Sequence, residues 1–219
     1  MSRVVILGGH GKIALRLAKL LSADGVEVDS VIRNPDHGVD VAEAGASIVV
    51  ADIESSTVDS LAAVIAGHDA VVFSAGAGGG DSARTFAVDR DAAIRAVDAA
   101  AAAGVARFVL VSYFGAGPDH GVPEDNSFHA YAQAKAEADE YLRASDREWT
   151  IVAPSSLTLD AGTGLIETAD ARASAGEVSR DDVAAVIAAV LQTPGTIRRT
   201  IEFNNGATPI DEALAAVRS

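Results

Sequence analysis

Short runs of consecutive apolar residues alternate along the chain with longer segments whose apolar positions recur about every 3.6 residues. The runs are "RVVILG", "VEVDSVI", "SIVVAD", "DAVVFSAG", "RFVLVSY", "WTIVAP" and "RTIEFNN". The periodic segments are "KIALRLAKLLSADG", "SSTVDSLAAVIAGH", "RTFAVDRDAAIRAVDAAAAAGV" and "FHAYAQAKAEADEYLRAS", with a further helix from about Asp181 to Leu191 and a short terminal one. Strands that are apolar at successive positions belong in a parallel sheet covered on both faces. The βαβ rhythm therefore predicts an open, doubly wound α/β fold with helices on both faces of the sheet. The rhythm loosens after Pro154, through "SSLTLDAGTGLIETADARASAGEV". Residues 1–219 are expected to form one unit, with 155–178 and 205–219 forming a small substrate lobe.

Composition narrows the partners. The 219 residues carry 31 acidic against 17 basic side chains, a formal charge of −14. Such a surface is unsuited to nucleic acid or to anionic membranes. No stretch approaches a membrane span, and the N-terminus lacks a basic segment followed by an apolar core, so a cytoplasmic location is expected. There is no cysteine, which excludes disulfides, thiolate nucleophiles and cysteine-bound metal centres. The five histidines, His10, His37, His68, His120 and His129, have no metal-ligand spacing, and no metal site is expected.

The first junction carries chemistry. "GGHGKIA" follows the first apolar run and opens the first helix, placing Gly8, Gly11 and Ala14 in a G-x-x-G-x-x-A spacing. Gly8 permits the tight turn, Gly11 lets backbone approach a pyrophosphate, and Ala14 lets the helix pack closely. The free N–H groups and dipole of a helix start attract an anion, which makes His10, Lys12 and Ile13 cofactor-site candidates beside the two glycines. At the end of the second run, where an acidic residue would bind the ribose hydroxyls of NAD, stands Arg33. A guanidinium suits a 2′-phosphate, so NADP is expected, with NAD as the alternative. Asp52 and Ile53 follow the third run, where an adenine would rest, although Asp52 equally suits a cap. The loop Ser74 to Gly80, with Ser74, Ala75 and Gly76 nearest the strand, leaves the fourth run at the same edge.

The combination of "GGHGKIA", "ADI", "RFVLVSY", "YAQAK", "WTIVAPSSLT", "VSRDDVAAVIAAVL" and "FNNGATPIDEAL" resembles the short-chain dehydrogenase/reductase superfamily. Within it, the small atypical NAD(P)-binding group related to NmrA-like and sugar-epimerase-like proteins is the nearest in pattern. The resemblance covers essentially the whole chain and implies a Rossmann sheet binding NADP(H) or NAD(H). Tyr131 and Lys135 lie four apart, on one helix face, matching the superfamily's Tyr-x-x-x-Lys pair. A nearby ammonium would lower the phenol's pKa. By resemblance, Tyr131 donates a proton to a carbonyl that receives hydride, and Lys135 holds the nicotinamide ribose.

The superfamily's third catalytic hydroxyl falls at "VSYFGAG". Ser112 fills it, or the alignment shifts to Tyr113. Pro154 lies near the nicotinamide by resemblance, but "APSS" departs from the Arg-Pro-Gly of many relatives. Epimerases of the extended group carry a much larger C-terminal region than 155–178 and 205–219 supply. A small carbonyl, quinone or flavin-like acceptor fits better, with Tyr113, Phe114, Leu157 and Leu165 as apolar lining candidates. Two functions are left open: an NADP(H)-dependent oxidoreductase acting on a small-molecule substrate, or a non-catalytic dinucleotide sensor. Oligomeric state is not legible.

Overall fold

The first strand shows how the chain builds its sheet. In a computed structural model that describes residues 1–78, 81–169 and 174–217, β1 (Arg3–Leu7) buries Val4 and Ile6 on one face and Val5 and Leu7 on the other. Alternate side chains of one strand thus feed two cores, which is why the run is apolar throughout. On one side β1 pairs in parallel with β2 (Glu27–Ile32), which pairs with β3 (Ser47–Val50). On the other it pairs with β4 (Ala70–Phe73), followed by β5 (Arg107–Val111), β6 (Glu148–Pro154) and β10 (Arg199–Asn205), all parallel. The chain runs outward from β1 to β3, then returns to β4, so the order reverses between β1 and β4. That reversal opens a crevice at the carboxyl ends of the strands. The fold is a doubly wound Rossmann α/β sheet.

Helices close both faces. Helix α1 (Lys12–Ala23) packs on α7 (Arg180–Gln192) over the Val4/Ile6 face, with α2 (Gly38–Glu43) and α8 (Ile210–Ala215) at its margins. Helix α3 (Val58–Ile65) packs on α5 (Ala93–Ala102) over the opposite face, beside α6 (His129–Ala144). The long periodic segment before β5 is not one regular helix. Its start, α4 (Ser82–Thr85), passes into a π-helical turn, Phe86–Ala92, before α5 begins. Among the described residues no helix is long and apolar enough to cross a membrane.

Four short strands lie beyond the sequence-based pattern: β7 (Ser156–Thr158), β8 (Leu165–Thr168), β9 (Glu177–Ser179) and β11 (Thr208–Pro209). β8 and β11 extend the main sheet in antiparallel fashion from β10, while β7 and β9 form a separate parallel pair. The stretches 155–178 and 205–219 are therefore partly built into the main sheet. Residues 170–173 and 218–219 of those stretches, and Gly79 and Gly80 of the Ser74–Gly80 loop, lie outside the described residues. Asp182, in the first turn of α7, ties the 155–178 stretch down by accepting the backbone N–H groups of Thr163 (3.0 Å) and Gly164 (2.7 Å).

Candidate functional site

The crevice at the strand reversal is a cavity of about 290 Å³. Its walls hold Gly8, His10, Gly11, Arg33, Asp52, Ile53, Ser74, Ala75 and Gly76. Gly8 turns with φ +88°, and a Cβ there would stand 2.7 Å from the Ala75 backbone. A Cβ on Gly11 meets only the Gly8 carbonyl closely, at 3.2 Å, and is otherwise uncrowded. Gly8 is therefore required by the fold, whereas Gly11 keeps the mouth of the cavity open. Helix α1 starts there with no side-chain cap and no acidic residue in its first turn. Its first N–H groups remain available to an anion, and the cradle fits a dinucleotide pyrophosphate. Three other cofactor-site candidates behave differently: Lys12 is exposed, Ile13 points into the α1/α7 core, and Pro154 ends β6, where its carbonyl accepts the Phe114 N–H at 2.9 Å. None of these three lines the cavity wall.

At the outer end of the cavity Arg33 contacts Glu54 (3.5 Å), and Arg84 approaches the same carboxylate (3.8 Å) while donating to the Ala77 carbonyl (2.7 Å). Asp52 does not cap α3; Thr57 does, through a capping box with Ser60. Asp52 instead accepts the Glu54 N–H at 3.1 Å, fixing the turn that presents Glu54. His10 pairs with Asp40 (2.7 Å) and stacks on His37 at 3.7 Å. The remaining three histidines take structural partners: His68 bridges the Ile65 carbonyl and Asp29, His120 accepts the Val122 N–H at 3.0 Å, and His129 meets the Val122 carbonyl at 2.8 Å, pinning the loop before α6.

The second cluster lies where α6 crosses the end of β5. Lys135 is 1 % exposed and donates to the Val111 carbonyl at 2.5 Å. Ser112, the next residue, donates its hydroxyl to Asp139 at 2.7 Å. Asp139 is fully buried, and its other carboxylate oxygen has no partner among the described residues. Tyr131 packs against Tyr113 (5.6 Å) and Phe128 (5.2 Å), and the Tyr113 hydroxyl is buried without a hydrogen bond among the same residues. The two clusters meet through the π-helical turn. Val88 lines the cavity, and Asp89 beside it is buried, accepting the Ala77 N–H at 3.0 Å and bearing electrostatically on Lys135.

This geometry agrees with what the chain is similar to. The profile of the NAD(P)H-binding family matches residues 8–194. The chain belongs to that family. It is 36 % identical over 214 residues to a Bacillus subtilis (strain 168) protein named as an uncharacterized sugar epimerase, YhfK, spanning 97 % of this chain and 98 % of that one. A Bacillus halodurans structure proposed to be an NAD-dependent epimerase/dehydratase superposes with a TM-score of 0.91 at 33 % identity, covering 99 % of this chain and all of the other. The structure of the oxidoreductase ylbE from Lactococcus lactis gives 0.86 at 28 % identity, over 98 % and 96 %.

Family membership puts weight on the electrostatics around Tyr131. An ammonium one helical turn away would lower the phenol's pKa, yet here that pKa is raised. Burial is the main cause, and the carboxylates of Asp89 and Asp139 add to it. Lys135 donates to the Val111 carbonyl and does not reverse the effect, which burial dominates. Burial likewise raises Asp139 and Asp89, with Lys135 pulling the other way. Asn34, His37, Glu54, Arg84, Val88, Asp89 and Asp139 were not singled out by sequence patterns. For Asp139 a signal exists: Tyr131, Lys135, Asp139 and Arg143 succeed one another at steps of four on one helix face.

Proposed function

We propose that the chain is an NADP(H)-dependent oxidoreductase that reduces a small carbonyl, quinone or flavin-like acceptor, with Tyr131 as proton donor. The observation that carries this reading is the continuity of the two clusters. The π-helical turn puts Val88 on the wall of the glycine-lined cavity, which takes the dinucleotide, and packs against α6, the helix bearing Tyr131 and Lys135. The 2′-phosphate preference rests on Arg33 and Arg84, two guanidiniums at the outer end of that cavity.

When bound, the nicotinamide supplies a hydride. The residues of this chain supply the rest. Gly11 and the start of α1 would hold the pyrophosphate, and Arg33 would hold the 2′-phosphate. Lys135, anchored on Val111, would hold the ribose beside Tyr131. On a carbonyl acceptor Tyr131 would give its hydroxyl proton to the acceptor oxygen and take a proton back from solvent. Burial raises the Tyr131 pKa and keeps the phenol in its protonated, donating form. Asp139 acts as a positioning residue, orienting Ser112.

One observation favours the alternative of a non-catalytic NADP(H) sensor: the Ser112 hydroxyl is committed to Asp139 rather than offered to a substrate. A screen of aldehydes, ketones, quinones and flavins for NADPH oxidation separates the two. On any carbonyl substrate, Tyr131→Phe should lower turnover about 10²- to 10⁴-fold while leaving NADPH affinity nearly unchanged. Tight NADPH binding with no oxidation across the screen supports the sensor, and turnover indifferent to Tyr131→Phe removes the proton-donor role.

A further inference from the structure

Glu54 stands between the two arginines that the NADP(H) reading assigns to the 2′-phosphate. Its Oε2 is 3.5 Å from Arg33 Nη1 and 3.8 Å from Arg84 Nε, so one carboxylate oxygen faces both guanidiniums. The three groups come from three places in the fold: Arg33 from the end of β2, Glu54 from the turn after β3, and Arg84 from α4. They are not held with equal firmness. Glu54 sits in a turn fixed by Asp52, which accepts its N–H, while the Asp52 carbonyl accepts the N–H groups of Ser55 and Ser56. Arg84 is anchored at its far nitrogen to the Ala77 carbonyl. Arg33 is held, among the described residues, by the long contact to Glu54, and its side chain is 58 % exposed.

We infer that Glu54 sets the balance between the two dinucleotides, an inference that rests on the cavity being the dinucleotide site. A carboxylate at the ribose end accepts hydrogen bonds from a free 2′-hydroxyl, as an acidic residue at the end of β2 would in an NAD site. With NAD(H), Glu54 takes the hydroxyl and keeps both arginines. With NADP(H), its charge opposes the incoming phosphate, and Arg33 must leave it to meet that phosphate. Because the Arg33–Glu54 pair is long and solvent-exposed, releasing it costs little. The site therefore accepts both cofactors, and Glu54 narrows a preference that the arginines alone would make wide.

The test is fluorescence titration of NADPH and NADH against the wild type, Glu54→Gln and Arg84→Ala, with thermal melts of each protein without cofactor. Glu54→Gln removes the charge at nearly constant shape on an exposed turn, so its melt should match the wild type. It should raise the NADPH-over-NADH affinity ratio by about two- to five-fold, the range of an exposed charge pair. Arg84→Ala should lower the same ratio. In an Arg33→Ala background the effect of Glu54→Gln should shrink, since one of its two partners is gone. A ratio unchanged or lowered by Glu54→Gln, in a protein that binds both dinucleotides, overturns the role of Glu54 alone. A wild type that binds neither overturns the dinucleotide reading with it.

Discussion

At the outer end of the cavity Arg33, Glu54 and Arg84 keep 58 %, 31 % and 40 % of their side-chain surface in water, whereas under α6 Lys135 keeps 1 % and Asp139 none. The same kinds of group meet at both ends, but the solvent makes them different instruments. Water screens the exposed trio, so its contacts are weak, exchangeable and suited to choosing among ligands. Burial removes that screening. Lys135, Asp89 and Asp139 depend on one another for charge balance, and Ser112 and the Val111 carbonyl fill the hydrogen bonds that water would have made. Such a cluster holds one geometry and tolerates change poorly.

The largest expected effect tests the buried end. Lys135→Met removes the cation that bears on two buried carboxyl groups and the donor to the Val111 carbonyl, and should destabilise the protein by about 3 kcal/mol near pH 8. The pH dependence has a definite sign. The folded pKa values of Asp89 and Asp139 lie above the ordinary 3.8. Groups of that kind add stability that is complete below the unfolded value and is lost as pH rises through the folded one. Without Lys135 the upward displacement grows, so the variant should lose more stability at pH 8 than at pH 5.5. Denaturant unfolding at both values measures it. A loss below about 1 kcal/mol, the ceiling for exposed pairs, or a loss equal at both pH values, would erase the distinction between the two ends.

The same contrast explains what the sequence could disclose. Parallel strands and amphipathic helices leave long periodic traces, so the doubly wound sheet, the glycine turn after β1 and the Tyr131/Lys135 helix face were all readable. Strands β7, β8, β9 and β11 mix polar with apolar residues and make no continuous apolar run, unlike the equally short β3 and β4. The six-residue α2 spans less than two turns, too short for its helical period to register. Asp89 escaped for a different reason. It lies in the π-helical turn, where the wider winding shifts which residues face inward, and a 3.6-residue template misplaces it. Glu54 and Arg84 are separated by thirty positions and meet only because β3 and β4 end at one edge. No local pattern contains that meeting, and the Tyr131 pKa is raised, against the direction expected from a nearby lysine, mainly by a burial that local spacing does not disclose.

A second, smaller effect belongs to the exposed end. Arg33→Ala should weaken NADPH binding by about 2 kcal/mol, roughly thirty-fold, through loss of a charge-assisted phosphate contact, and should leave NADH binding within about two-fold. Stability without cofactor should hardly move, because the Arg33 side chain is tied to the fold by its exposed 3.5 Å pair with Glu54. Titration of both dinucleotides, with a melt of the apo protein, checks both halves. Equal weakening of the two cofactors would place Arg33 away from the 2′-phosphate. A large drop in stability would mean that the outer end is as interlocked as the buried one.

The smallest effect sharpens the comparison by asking whether a short distance alone makes a strong contact. His10 and Asp40 are only 2.7 Å apart, as close as Ser112 and Asp139, yet their side chains are 34 % and 57 % exposed. His10 also stacks on His37, so its ring has a second support independent of the carboxylate. Asp40→Asn keeps the shape and a hydrogen-bonding group while removing the charge. Water already competes for both partners, so the variant should lose no more than about 1 kcal/mol, and the loss should shrink further in about 0.5 M salt as screening increases. The decisive comparison is Asp139→Asn under the same conditions. That change sits on a contact of equal length with no water to screen it, so its effect on stability should be insensitive to salt. If Asp40→Asn proves the more costly, or if salt acts alike on both variants, exposure is not what separates the two ends, and their difference must be sought in the backbone that carries them.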